Sequence, residues 1–214
     1  MRQVGFAQIL PYADLYLRFY ILVIPPESVM SKTININTMP QAHSNLRADD
    51  WRSPLVRRLI GCDNYADGPT TITGSYAGQT ESTPSNHPLT IHWSGLASDF
   101  GKVIKTYQAP VITEMATLGL ACGMISAFTQ MEVTEVTRRG EKADYWLGDR
   151  ELMLEVSGQE SGDLAALCQE KSTQLQDNPY GKDGFVCVAN YSDAEARLWY
   201  YSAPTHDEVE SSDE

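Results

Sequence analysis

Residues 143–157 read ADYWLGDRELMLEVS, and this stretch decides the fold. Its two ends, 143–147 and 151–157, are rich in the apolar, aromatic and β-branched residues of strands, and the letters GDR between them are typical of a tight turn. The stretch therefore predicts a β-hairpin. One acid, Asp144, lies in the first strand, and another, Glu155, lies near the end of the second.

The register of this hairpin decides whether its two acids meet. If the strands close on Gly148 and Glu151, the turn between them has two residues. Asp144 then lies directly opposite Glu155 on the same face, with about 4.5–5.5 Å between their Cβ atoms. A three-residue turn would instead place Asp144 opposite Leu154 and send the two acids to opposite faces of the sheet. The sequence leaves both registers open.

Two facing carboxylates would have a definite chemistry. Unit charges about 4 Å apart repel by roughly 4 kcal/mol at an effective dielectric constant near 20, so Asp144 and Glu155 would share a proton or bind a cation. Ligands that are all oxygen favour Mg²⁺ or Mn²⁺ over zinc. The alternative is that both acids are solvated at a sheet edge or paired with Arg138 or Arg150.

Regular elements continue on both sides of the hairpin. Period-3.6 and period-2 patterns predict, in order, a helix over 110–130, strands over 131–138, 143–147 and 151–157, a helix over 162–176, and strands over 185–189 and 196–202. The run FVCVA at 185–189 is continuously apolar, as in a strand buried on both faces. The order α-β-β-β-α-β-β predicts an α/β core.

The chain as a whole is predicted to have four parts. They are an N-terminal extension over 1–29, an irregular, β-containing region over 30–108, the α/β core over 109–204, and an acidic disordered tail over 205–214. The letters MSKT from Met30 are typical of a protein start, which suggests that the extension is non-native or loosely packed. A packed N-terminal strand or helix is the alternative. Ser53 followed by Pro54 predicts the beginning of a short helix.

The charge of the chain bears on its partners. The formal net charge is −12, and the tail over 207–214 contributes five acids and no base, so the remainder still carries −7. Proteins that bind nucleic acid alone usually present a basic face. The charge therefore argues against strong stand-alone DNA binding and favours a helper subunit, with a homo-oligomer or a protein complex as the expected assembly.

Sequence features that bear on location point to the cytoplasm. The four cysteines are Cys62, Cys122, Cys168 and Cys187, and they form no CxxC pair, which is typical of reduced, buried thiols. The apolar run over 15–24 has ten residues and contains a charge, so it is too short for a bilayer core of about 30 Å. We therefore predict a cytoplasmic protein with no membrane partner.

The order of helix, three strands, helix and strand resembles the PD-(D/E)xK nuclease superfamily over residues 110–202. The residues that carry the resemblance are Asp144 on the second strand, Glu155 in the position of the triplet's acid, and Glu114 on the preceding helix. The resemblance implies a restriction-endonuclease-like core. It also implies that Asp144 and Glu155 bind a divalent metal with help from Glu114.

The sequence departs from the family at the lysine of the triplet, where it has Ser157. Loss of one preorganised electrostatic donor typically costs about 2.7–4 kcal/mol of transition-state stabilisation. Gln159, just beyond the strand, or Lys171 on the following helix would have to substitute for it. Lysines displaced onto that helix occur in the superfamily.

Two functions follow from these expectations. The first is a Mg²⁺- or Mn²⁺-dependent nuclease that hydrolyses DNA, which by family analogy would belong to a defence or mobile-element system. The second is a catalytically inactive accessory protein with a nuclease fold that acts through protein–protein contacts. The missing lysine and the acidic charge favour the second.

Overall fold

The computed structural model describes residues 31–60, 67–81 and 83–204, so the expectations for the N-terminal extension and the acidic tail lie outside the described residues. The elements in chain order are β1 (Lys32–Asn35), a 3-10 turn (Ile36–Thr38), α1 (Met39–Ala42), α2 (Asp49–Ile60), β2 (Thr70–Ala77), β3 (Ser85–His92), α3 (Ala97–Thr106), α4 (Ala109–Thr129), β4 (Val133–Val136), β5 (Tyr145–Leu147), β6 (Leu152–Gln159), α5 (Leu164–Gln176), β7 (Gly184–Asn190) and β8 (Glu195–Tyr201).

The eight described strands form one mixed sheet in the order β1-β3-β2-β8-β7-β6-β5-β4. Neighbours β4, β5 and β6 are antiparallel. Strands β6 and β7, which α5 connects in the sequence, pair in parallel, and β8 returns antiparallel to β7. The predicted α/β class and the order of elements from α4 to β8 are therefore confirmed. The described chain is a mixed α/β structure with an eight-stranded sheet and five helices.

The N-terminal region belongs to the same sheet and is more regular than expected. Strand β2 pairs parallel with β8, and β3 and β1 continue the sheet beyond it. The sequence of β2 is rich in Gly, Ser and Thr, and pairing with two neighbouring strands holds it extended. Helix α2 begins at Asp49, so the predicted start at Ser53 is wrong. Asp49 and Asp50 at the positive end of the helix favour the earlier start.

Helix α4 is the central helix of the fold. It contacts strands β1, β6 and β7 of the sheet and also helix α2, which explains why it is apolar all round. By length and composition it is the one helix among the described residues that could cross a membrane, and 67% of its most apolar window is buried inside the structure. Its apolar character is thus that of a core helix.

Helix α5 covers the opposite face of the sheet. Asp163 caps it by accepting hydrogen bonds from the main-chain N–H groups of Ala165 and Ala166. Its apolar residues pack against β6 and β7, and every residue of β7 is buried, as the sequence predicted. Three of the four cysteines, Cys122, Cys168 and Cys187, are buried and free, in agreement with the expected reduced thiols.

Candidate active site

The site lies where strands β5 and β6 separate. Strand β6 pairs with β5 only from Leu152 to Leu154, but it pairs with β7 as far as Gln159. From residue 155 onward, one edge of β6 is therefore not covered by β5. The main-chain N–H of Val156 on this edge donates to Oδ2 of Asp144 at 2.9 Å. The gap between the two strands opens into a cavity.

The register of the hairpin is the one that brings the two acids together. Tyr145 lies opposite Leu154, which is the register that would place Asp144 opposite Glu155. Four residues, 148–151, form the turn instead of two, and its ends are joined by a hydrogen bond from the N–H of Glu151 to the carbonyl of Leu147. The longer turn leaves the register unchanged because it shortens both strands equally.

Asp144 itself lies just before β5 and is not part of the regular ladder. Its N–H donates to the carbonyl of Leu154 at 3.0 Å, and its carbonyl accepts from the N–H of Thr137 at 2.9 Å. Because its main chain is held on both sides and its carboxylate accepts from Val156, the side chain is fixed beside the carboxyl of Glu155. Strand β5 is accordingly two residues shorter than predicted at its start.

Glu155 is the most deeply buried acid of the site. Its residue exposure is 1%, and its side chain points to the face that α5 covers. There, Nζ of Lys171 lies 2.8 Å from Oε1 of Glu155 and 2.9 Å from Oε1 of Gln174. The second oxygen, Oε2, is buried and has no hydrogen-bond partner. The carboxylate is thus satisfied on one side only.

The surroundings of the two acids disfavour the ionised form of both carboxyls. Burial, followed by the nearby charge of Asp144, raises the pKa of Glu155 to about 7, against the opposing effect of Lys171. Burial also raises the pKa of Asp144, and the hydrogen bond from Val156 and the charge of Lys171 oppose it. Near neutral pH, the pair therefore has the character expected of two facing carboxyls that hold a proton or a cation between them.

The cavity around these groups has a volume of about 550 Å³. One wall is polar and includes Lys171 and Gln174 of α5, and another is apolar. The apolar residues come from α2 and from the first three turns of α4, namely Trp51, Pro110, Val111, Met115 and Leu118. A cavity of this size with convergent charged groups at its base is typical of a ligand site.

The remaining predicted site residues lie at different distances from this centre. Glu114, in the second turn of α4, lines the same cavity, as does Ser157 at the position of the motif lysine. Gln159 lies outside the cavity lining; its side-chain amide is directed toward Gly162, and its Nε2 is buried without a partner. The structure thus brings Lys171, and not Gln159, to Glu155.

Gln174 and Trp51 are among the cavity residues that were not anticipated. Gln174 lies three residues after Lys171 on the same helix face, so helical spacing alone could have found it. Trp51 reaches the cavity because α2 packs closely on α4, where a side chain at Gly119 would approach within 3.2 Å of the carbonyl oxygen of Trp51. No local pattern in the sequence indicates that approach.

No group of three or more His, Cys, Asp or Glu side chains within residues 31–60, 67–81 and 83–204 is arranged to hold a metal ion. Glu114, Asp144 and Glu155 thus do not form such a group in the described part of the chain. Any further ligands at this site would be main-chain oxygens, waters or substrate oxygens.

A second cluster, around the buried His43, is structural. Its Nδ1 accepts a hydrogen bond from the N–H of Val133 at 3.0 Å, so the ring proton lies on Nε2. Nε2 is 2.9 Å from both the carbonyl of Cys122 and Oγ of Ser126. Because Nε2 is a donor, His43 cannot act as a base toward Ser126. Burial also lowers the pKa of His43, as expected for a neutral core histidine.

Comparison of this chain with family models, curated proteins and solved structures gave no match. The functional conclusion therefore depends on the residues of the cavity.

Proposed function

We propose that the protein is a divalent-metal-dependent phosphodiesterase that hydrolyses DNA and has a restriction-endonuclease-like core. One observation carries the proposal. Asp144, Glu155 and Lys171 line one cavity at the free edge of β6, although they come from three different segments of the chain. The order from α4 to β7 is also the element order on which the resemblance to PD-(D/E)xK nucleases rests.

The oxygen atoms at this site suit Mg²⁺ or Mn²⁺. Mg²⁺ keeps several waters and is typically held by one or two carboxylates together with substrate phosphates, so Asp144 and Glu155 are enough protein carboxylates. The buried, unpartnered Oε2 of Glu155 is an atom that a cation would satisfy. The carbonyl of Val156 points to the same edge as its N–H and offers a third oxygen. When bound, such an ion lowers the pKa of a water and neutralises charge on the phosphate.

Lys171 would do the work of the lysine that Ser157 replaces. Its ammonium group lies at the base of the cavity, where it can contact a phosphate oxygen once a cation engages Glu155. Gln174 accepts from the same nitrogen and limits its movement. Removing a preorganised positive donor of this kind typically lowers the rate by roughly 100- to 1000-fold. Glu114, on another part of the cavity wall, is proposed to assist metal binding through water.

The acidic charge limits how the protein would reach its substrate. With a net charge of −12, long-range attraction to phosphates is unfavourable, and counterion release contributes little to affinity. We propose that a helper subunit with a basic surface, or assembly with further copies of this chain, supplies the missing attraction. A cytoplasmic location remains a prediction.

The test is hydrolysis of labelled single-stranded DNA, duplex DNA and RNA with Mg²⁺ or Mn²⁺. We expect activity for the wild type and its loss, by 1000-fold or more, in Glu155→Gln and Asp144→Asn. Glu170→Gln is the matched control, because Glu170 is an exposed acid next to Lys171 in sequence; it should keep wild-type activity. Absence of hydrolysis of all three substrates with both metals would contradict the proposal.

A second candidate function is that of an inactive accessory protein. It is favoured by the ion pair itself, because Lys171 already neutralises the carboxylate that would bind the metal. In that case the ion pair between Lys171 and Glu155 would serve only to hold β6 against α5. Such a protein would fail the hydrolysis test, and Lys171→Met would lower its stability with no restoration by Mn²⁺.

A further inference from the structure

The position of Glu155 restricts which substrates can reach it. Its residue exposure is only 1%, and it lies at the base of the cavity, between the free edge of β6 and helix α5. A phosphate must therefore enter the cavity to approach Glu155. A phosphate that stays on the outer surface of a rigid duplex does not enter such a recess.

The apolar wall of the cavity offers a surface for a base. Trp51 is half-buried and lines the cavity. Its ring meets that of Tyr145 edge to face, with centroids 6.3 Å apart and an interplanar angle of 71°. Edge-to-face contacts of this kind favour the observed orientation of the indole. Met115 and Leu118 of α4 continue the same apolar wall.

The two walls match the two parts of a nucleotide. Phosphate oxygens suit the polar side, where Lys171 and the two carboxylates lie, and a base suits the apolar side around Trp51. In a duplex, the base is paired and stacked and cannot turn toward a protein wall, so enzymes that need such access act on single strands or extrude the nucleotide. An unpaired nucleotide can place both parts at once.

We propose that the cavity binds an unpaired nucleotide of single-stranded nucleic acid or of a frayed end, and that Trp51 stacks on its base. The identity of the ligand as nucleic acid rests on the proposed function. The new content is the strandedness of the substrate and the role of Trp51 as a specificity-determining residue.

The charge distribution gives this binding mode a recognisable salt dependence. Among the described residues, Lys171 is the one lysine or arginine that lines the cavity. The chain as a whole has a formal net charge of −12. Each neutralised phosphate contributes a slope of about −0.7 to the salt dependence of single-strand binding. We therefore expect a slope of about −0.7, because stacking and one cation, and not many phosphate contacts, provide the affinity.

The experiment measures binding of the full chain to a fluorescent thymidine oligonucleotide and to the blunt duplex of the same length. Ca²⁺ replaces Mg²⁺ to limit hydrolysis. We expect the single strand to bind at least ten times more tightly than the duplex. Trp51→Ala should weaken single-strand binding roughly 5- to 100-fold, the range typical of one base–aromatic stack, and Trp51→Phe should retain most of it.

The matched control is Trp199→Ala, because Trp199 is also half-buried but lies outside this cavity; its single-strand affinity should stay within twofold of wild type. If Trp51→Ala does not fold, Trp51→Leu compared with Trp51→Phe gives the same test, since leucine is apolar but cannot stack. Equal affinity for duplex and single strand, or equal affinity of the Phe and Leu variants, would overturn the inference.

The outcomes also separate this inference from the proposed function. Hydrolysis of continuous duplex as fast as single strand would support the phosphodiesterase and overturn the unpaired-nucleotide site. Single-strand binding that depends on Trp51, without hydrolysis by any divalent metal, would support the site and overturn the phosphodiesterase.

Discussion

Nζ of Lys171 lies 2.8 Å from Oε1 of Glu155, while Oε2 of the same carboxyl is buried without a partner. A buried carboxylate with one satisfied oxygen is costly, because desolvation favours its neutral form. In the proposed function, this half-satisfied carboxylate would bind the divalent ion beside the lysine.

The pH dependence of stability should carry the signature of Glu155. Its pKa is about 7 in the folded protein, compared with an ordinary value of 4.5. Between these values the folded state holds more protons than the unfolded state, so the free energy of unfolding falls as pH rises from 4.5 to 7 and then levels off. The difference in the free energy of unfolding between Glu155→Gln and wild type should therefore shift in favour of the variant by about 1–3 kcal/mol between pH 4.5 and pH 7.

The measurement is urea unfolding of both proteins from pH 4.5 to 8 in metal-free buffer. His43 acts in the opposite direction, because its lowered pKa makes stability rise with pH up to about 6.5. His43 is present in both proteins, so it cancels in the difference between the two curves. Parallel curves would show that Glu155 does not titrate in this window.

Removal of the lysine should expose the cost of the buried carboxylate. Lys171→Met leaves Glu155 without its cation, and breaking one partner of a buried ion pair typically costs about 3–5 kcal/mol. We expect the full loss at pH 8 and a smaller loss at pH 6, where Glu155 takes up a proton. Chemical unfolding at both pH values measures it. Lys105→Met, at an exposed position on α3, should change stability little; an equal effect of the two substitutions would refute the prediction.

Divalent metal should stabilise the folded protein through the two carboxylates. A ligand that binds only the folded state adds about 2.7 kcal/mol when its concentration is 100 times its Kd. We expect Mn²⁺ to raise the Tm of the wild type and to raise that of Lys171→Met by more, because the competing ammonium is gone. Calorimetric unfolding with and without Mn²⁺ provides the measurement. An equal rise in Tm for Asp144→Asn would mean that the ion binds elsewhere.

The free edge of β6 should tolerate no side chain at Gly158. A Cβ at this position would overlap the hydroxyl of Thr117 on α4, which is itself hydrogen-bonded to Tyr191. Gly158→Ala should destabilise the protein by about 1–3 kcal/mol, as expected for overpacking. In contrast, Gly101→Ala in the middle of α3 meets open space and should stabilise it by about 0.5–1 kcal/mol. Chemical unfolding of both variants checks the pair.

Turn length left two registers open, and only one of them brings Asp144 and Glu155 together; the structure decides between them. The hairpin itself could be predicted, because the alternation over 143–157 is a local pattern. The same is true of Lys171, which follows Leu164 by two helical turns and therefore lies on the face of α5 that packs against the sheet. A lysine on a buried face is an informative signal.

Other features of the cavity depend on contacts between distant segments. No local pattern predicts that β5 separates from β6 after Leu154, that α2 brings Trp51 to the cavity, or that Lys171 and not Gln159 reaches Glu155. The N-terminal region was predicted only as irregular and β-containing for the same reason, since β2 is held extended by its neighbours β3 and β8.

The sequence by itself thus determined the α/β class and the order of elements from α4 to β8. Only the tertiary structure decided the depth of Glu155, the partner of each of its oxygens and the apolar wall beside it. The physical reason is that helix and strand periodicities are set by backbone geometry within a few residues. Burial and charge pairing arise only when elements far apart in the chain pack together.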